Sequence, residues 1–113
     1  MMPISKDVIL RYKDDETNIF FEFKPVIGET EDDLIKASEE FAKVEKDSDI
    51  EAMKDVLDNI IDKILVNWSG DNEGLPAFPP NGKPSEMFRL RDKIKLLKVI
   101  CDLNGLSVKE QKN

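Results

Sequence analysis

The side chains of this sequence that could do chemistry are carboxylates, one thiol and a set of basic groups; histidine is absent. Without imidazole there is no Ser-His or Cys-His couple, no histidine general base and none of the commonest transition-metal ligand. Asp55, Asp58 and Asp62 recur at i, i+3, i+7, which puts their carboxylates on one helix face, where a hard divalent cation takes oxygen ligands. A carboxylate site between helices also draws on a second helix carrying a Glu-x-x-His type motif, and none is present, so the spacing reads as a solvated face. Asp71-Asn72-Glu73-Gly74 opens like a calcium loop but lacks the alternating oxygen ligands and the closing glutamate, and reads as a polar turn. Cys101 falls on an apolar stripe and reads as a buried structural thiol, although basic neighbours of the kind that activate a thiol share its helix. Arg89, Arg91, Lys93, Lys95 and Lys98 are phosphate-contacting types, but their phases wrap around the helix and no exposed aromatics interleave them. Glycine-rich phosphate loops, zinc spacings and nucleotide fingerprints are missing. The expectation is a non-enzymatic chain: catalytic residues none, metal none, cofactor none.

Trp68 carries a different kind of chemistry, that of recognition. It ends the main apolar stripe and opens a loop, where an indole buries its ring and directs its N–H outward. One reading makes it a cap over the end of the helices. The other groups it with Leu75, Pro76 and Phe78 as anchors at an interface, where aromatic side chains concentrate. Met87, Arg89 and Arg91, just beyond that loop, complete the expected partner-binding set.

The elements that must position these residues begin with two short runs rich in β-branched and aromatic side chains. Asp7–Tyr12 and Ile19–Lys24, joined by Lys13–Asn18, read as a β-hairpin, with Ile19, Phe21 and Phe23 on one face. Pro25 lacks a ladder donor, so Val26-Ile27 is at most an edge extension. Thr30 is placed to cap a helix whose acidic first turn, Glu31-Asp32-Asp33, suits the macrodipole. Its narrow stripe of Leu34, Ser38, Phe41 and Glu45 suits a helix lying on the hairpin and ending near Lys46. Ser48 and Glu51 have capping-box spacing. After them Ile50, Met53, Val56, Leu57, Ile60, Ile61, Ile64, Leu65 and Trp68 continue a three- and four-residue period, the pattern of one core helix.

Residues 69–84 hold three of the five glycines and four of the six prolines, so neither helix nor central strand is expected there. Leu75, Ala77 and Phe78 suit docking into a groove of this domain or of a partner. Ser85 then caps a last helix with Met87, Leu90, Ile94, Leu97 and Cys101 in its stripe, and Asn104-Gly105 stops it. The fold class expected is α+β: an N-terminal β-hairpin packed on about three α-helices, with a Pro/Gly-rich loop before the last. Residues 1–105 form the single globular domain, and 106–113 a flexible tail.

With 113 residues, one cysteine and a net charge of −7, the chain fits one domain without a disulfide framework. Acid is concentrated in residues 1–66, where eighteen Asp/Glu outnumber nine Lys/Arg, whereas residues 67–113 hold eight Lys/Arg against six Asp/Glu. That asymmetry disfavours nucleic acid as a partner and leaves room for charge-complementary docking, onto a protein or between copies. No apolar stretch approaches the roughly 18 residues of a membrane span and no signal peptide is recognisable, so a cytoplasmic location is expected.

The segment Ile64-Leu65-Val66-Asn67-Trp68-Ser69-Gly70-Asp71, continuing through Asn72-Glu73-Gly74-Leu75-Pro76-Ala77-Phe78, resembles a pattern in small tail assembly chaperones of tailed phages and prophages. In that pattern a helix ends in an aliphatic-x-x-Trp step, and a Gly/Asp turn, a Pro-Phe element and a final helix follow. The resemblance covers residues 50–104; the stretch after the tryptophan turn is shorter here and the last helix more basic. It implies a protein that transiently coats the tape measure protein and recruits tube subunits. Two other readings fit the residues: an acidic inhibitor or decoy of a nucleic-acid-binding protein, which requires one contiguous acidic face, and a minor structural component of a phage particle.

Overall fold

In the two N-terminal runs, alternating large side chains build the hairpin expected of them. The computed structural model describes residues 3, 5, 7–43 and 53–105. Strand β1 spans Leu10–Asp14 and β2 spans Ile19–Phe23, antiparallel from Leu10↔Phe23 to Asp14↔Ile19. The first strand starts at Leu10 rather than Asp7, and Val8 and Ile9 remain exposed. The turn shrinks to Asp15–Asn18, because the Asn18 N–H and the Thr17 hydroxyl both donate to Asp14, each at 2.7 Å. Asn18 sits at φ 58°, a left-handed conformation that asparagine tolerates. Beyond β2, Val26 is buried and its N–H donates to the Asn104 side chain at 3.0 Å, which ties the chain to the end of the last helix.

Helix α1 covers Glu29–Ala42. Thr30 is not its cap: Gly28, at φ 64°, turns the chain, and its carbonyl accepts from Glu31 and Asp32. Thr30 is therefore already inside the first turn. The helix buries Leu34, Ala37 and Ser38, and its closest backbone approaches are to the two helices that follow, while Leu34 and Ala37 share one core with Phe21 and Phe23 of the hairpin. Glu45, the helix end near Lys46, the Ser48/Glu51 capping box, Ile50 and the tail 106–113 lie outside the described residues.

The long helix expected to run to Trp68 is two elements. Helix α2 spans Lys54–Ile64, and strand β3 follows without a loop at Leu65–Ser69. β3 pairs antiparallel with β2, giving a three-stranded sheet in the order β1-β2-β3. Its register is irregular at Glu22/Phe23: Asn67 faces Glu22 and Leu65 faces Phe23, so Val66 is an extra residue. That bulge returns both Leu65 and Trp68 to the buried side although they are three positions apart. An i, i+3 step in a bulged strand copies the spacing of a helix, which is why the apolar period ran on past Ile64. Val56, expected in the stripe, is 41% exposed.

A 3₁₀ turn at Pro84–Met87 leads into helix α3, Leu90–Leu103. Ser85 does not cap that helix; it is buried, and its N–H donates to Asp62 Oδ1 at 2.9 Å. Met87 drops out of the stripe at 46% exposed, while Lys93, Leu96, Leu97, Ile100 and Cys101 form the buried face. Gly105, at φ 75°, supplies the expected stop, and Asn104 caps the helix end through Ile100 O. The fold is α+β as expected, with a third strand added: among the described residues, one face of the sheet and three helices enclose a core centred on Phe23, Leu34, Leu57, Ile61, Leu97 and Ile100.

Candidate functional site

The aromatic cluster around Trp68 is built by three elements. β3 places Trp68 opposite Phe21 of β2. The glycine/proline loop returns so that Trp68 Nε1 donates to the Pro76 carbonyl at 2.7 Å, and Phe78 packs edge-on against the indole at 4.8 Å between ring centroids. The strap between the 3₁₀ turn and α3 adds Phe88, nearly perpendicular to the same indole at 5.6 Å and 6.2 Å from Phe21. The loop is tied at its start as well, where the Asn72 side chain donates to Thr17 O in the hairpin turn. At Gly70 an added Cβ would lie 3.4 Å from Asn18 O, so a small residue suits this approach of loop to turn.

This arrangement divides the expected partner-binding set between the domain interior and its surface. Trp68 is 6% exposed, and Leu75 and Phe78 are half-buried against the core. Their apolar surface is used within the domain, because the sheet and the Phe88 strap offer a groove that the loop itself fills. Pro76, Met87, Arg89 and Arg91 stay exposed. Met87 and Arg89 flank Phe88 in sequence, so the Trp68 cluster fixes the segment that carries them.

The other candidates resolve into structure. Asp58 lies 2.5 Å from Lys93 Nζ, and Lys93 is buried, so this member of the basic set faces the core. Asp62 accepts from Ser85, leaving Asp55 as the exposed one of the three helix carboxylates. Two of them therefore join α2 to α3 and the 3₁₀ turn rather than forming a solvated face. Among the described residues no group of three His, Cys, Asp or Glu is placed to hold a metal ion. Cys101 is fully buried, and its thiol is pushed up to about 11 by burial and by the Asp102 carboxylate, with the Ser38 hydroxyl acting in the opposite direction. That excludes an activated thiolate near neutral pH. Among the described residues no helix is long and apolar enough to cross a membrane.

One feature escaped the sequence entirely. A cleft of about 470 Å³ opens between the hairpin and α3. Its floor is apolar, from Ile19 and Phe21 on one wall to Phe88, Leu96 and Val99 on the other. Carboxylates stand on both rims: Asp14 and Glu16 in the hairpin, Asp92 in the first turn of the helix. Glu16 and Lys95 face each other across it at 4.0 Å, both well exposed. Tyr12 also lines the cleft; burial raises its phenol, and Asp14, Asp15, Glu16 and Asp102 raise it further. The two walls are some 70 residues apart in sequence, and no local periodicity announces their meeting.

No protein-family model matches this chain, and no curated protein or solved structure matches it either.

Proposed function

We propose that the chain is a non-enzymatic protein-binding module of the phage tail assembly chaperone type, acting in the cytoplasm on tape measure or tube proteins. The observation that carries this reading is the exposed set Met87, Arg89 and Arg91 on a segment held rigid by Phe88 against Trp68. Methionine and arginine are enriched where proteins meet, and a segment fixed beforehand loses little freedom on binding. The absence of histidine and the high thiol pKa of Cys101 remove the usual nucleophile–base couples, which favours binding over catalysis. The resemblance of residues 50–104 to tail assembly chaperones supplies the partner class, although Trp68 and Leu65 here belong to a strand.

The acidic-decoy reading draws less support, because Asp58 and Asp62 turn inward to Lys93 and Ser85 instead of extending an acidic face along α2. The test is co-expression with the tape measure and tube proteins of a tailed phage, followed by crosslinking. Recovery of either one, weakened by Met87→Glu, is the expected result. Recovery of neither overturns the reading.

A further inference from the structure

We infer that the cleft between the hairpin and α3 is the docking site for a basic, apolar segment of a partner protein. Its apolar side chains would lie on Ile19, Phe21, Leu96 and Val99, and its Lys or Arg would meet Asp14, Glu16 and Asp92. The inference rests on the protein-binding reading above and assigns that reading a second surface and a chemistry of partner.

Three observations select this occupant. The first is size and character: about 470 Å³ with an apolar floor lies within the roughly 300–1,000 Å³ of sites that bury a ligand, and takes several side chains. The second is charge. Three carboxylates line the cleft against two lysines, one of which, Lys95, faces Glu16, so the lining carries a net negative charge. Tyr12 in the cleft has its phenol raised by burial first and then by nearby carboxylates, Asp14 and Glu16 of the rim among them. A cationic group is therefore favoured at the mouth and an anionic one repelled. The third is access. Among the described residues the ion pair spanning the walls, Glu16 with Lys95, is exposed on both sides, so solvent screens it and an incoming cation can displace Lys95.

The experiment titrates isotope-labelled full-length protein with a synthetic amphipathic leucine–lysine peptide, followed by amide chemical shifts. Leucine–glutamate and serine–lysine versions serve as controls. Binding of the leucine–lysine peptide alone is expected, with the largest shifts at Ile19, Asp92 and Val99. Reversing the exposed rim charges in Glu16→Lys/Asp92→Lys should weaken it about tenfold at low salt, with the thermal melt confirming the fold. Val99→Asp should abolish it, whereas Val56→Asp, on an exposed apolar position of α2, should not. Binding of the leucine–glutamate peptide, shifts centred elsewhere, or indifference to the rim reversal each overturn the inference. Failure of the two readings is separable. Tail-protein capture that survives rim reversal sinks the cleft alone, and a peptide seated in the cleft without any tail-protein capture sinks the tail assignment alone.

Discussion

The indole N–H of Trp68 donates to the backbone carbonyl of Pro76 at 2.7 Å, closing the glycine-rich start of the loop back onto the sheet. The loop has no strand or helix of its own before Pro84, so this bond and the Phe78 ring set edge-on to the same indole, with the Asn72 tie to Thr17 at its start, hold it. Trp68→Phe keeps an aromatic ring in the core and removes the donor and part of the contact area. A loss of about 1–2 kcal/mol is expected, from one hydrogen bond and incomplete ring packing. Urea denaturation measures it, and limited proteolysis should show new cleavage between residues 70 and 83. An unchanged cleavage pattern would mean that the loop is held by something other than Trp68.

The pair Asp58–Lys93 crosses from α2 to α3 with the lysine buried and the carboxylate partly open to water. Removing the carboxylate strands a buried ammonium, whereas removing both charges does not. Asp58→Ala is expected to cost about 3 kcal/mol, because the paired oxygen Oδ1 is shut off from solvent and the ammonium left behind is buried. The double change Asp58→Leu/Lys93→Met should recover most of that loss. A double-mutant cycle by thermal melting checks the coupling, and additive losses would show that the two groups do not act as a pair.

How much of this was legible in the residues depends on whether local pattern or distant meeting decides the outcome. The hairpin was legible because Ile19, Phe21 and Phe23 recur at two-residue spacing on one face, and α3 because Leu97 and Cys101 recur at helical spacing. β3 was hidden: the bulge at Val66 gives Leu65 and Trp68 an i, i+3 spacing that extends the helical period of Ile60, Ile61 and Ile64. Lys93 reads as a surface cation until Asp58 is seen to reach it from another helix. Which members of the expected partner-binding set lie at the surface was not legible. Arg89, Arg91 and Met87 are exposed, but Trp68 and Phe78 satisfy each other within the domain, a choice that composition alone leaves open. The cleft needs Asp14 and Asp92 on facing walls, which only the tertiary fold brings about.

Cys101 makes a pH prediction with a definite sign. Its thiol rises from the ordinary 9.0 to about 11 in the folded protein, through burial first and the Asp102 charge second. The folded state therefore holds the proton more tightly than the unfolded chain. The stability that this contributes is complete below pH 9 and is lost as pH climbs from about 9 to about 11. The loss attributable to this group is on the order of 2–3 kcal/mol. Denaturation of the wild type and of Cys101→Ala between pH 8 and pH 11 isolates it, since every other titratable group is common to both. The Ala variant should have the flatter profile, and parallel profiles would rule the thiol out as the source. Alkylation by iodoacetamide at pH 7.5 should also be slow until denaturant is added.

Arg89 and Arg91 bracket the start of α3, Arg89 as its N-cap and both exposed. Cations are the less favourable sign at a helix N-terminus, so stability alone does not account for their placement. Replacing both with Glu should therefore leave the melting temperature unchanged or slightly raised, while capture of a tail protein falls by about tenfold or more. The loss should come mainly through slower association and a changed salt dependence, the signature of charges that steer a partner. Stopped-flow association at two ionic strengths, run beside a thermal melt, separates the two effects. A lower melting temperature with unchanged association would make the arginines part of the fold and remove them from the proposed partner surface.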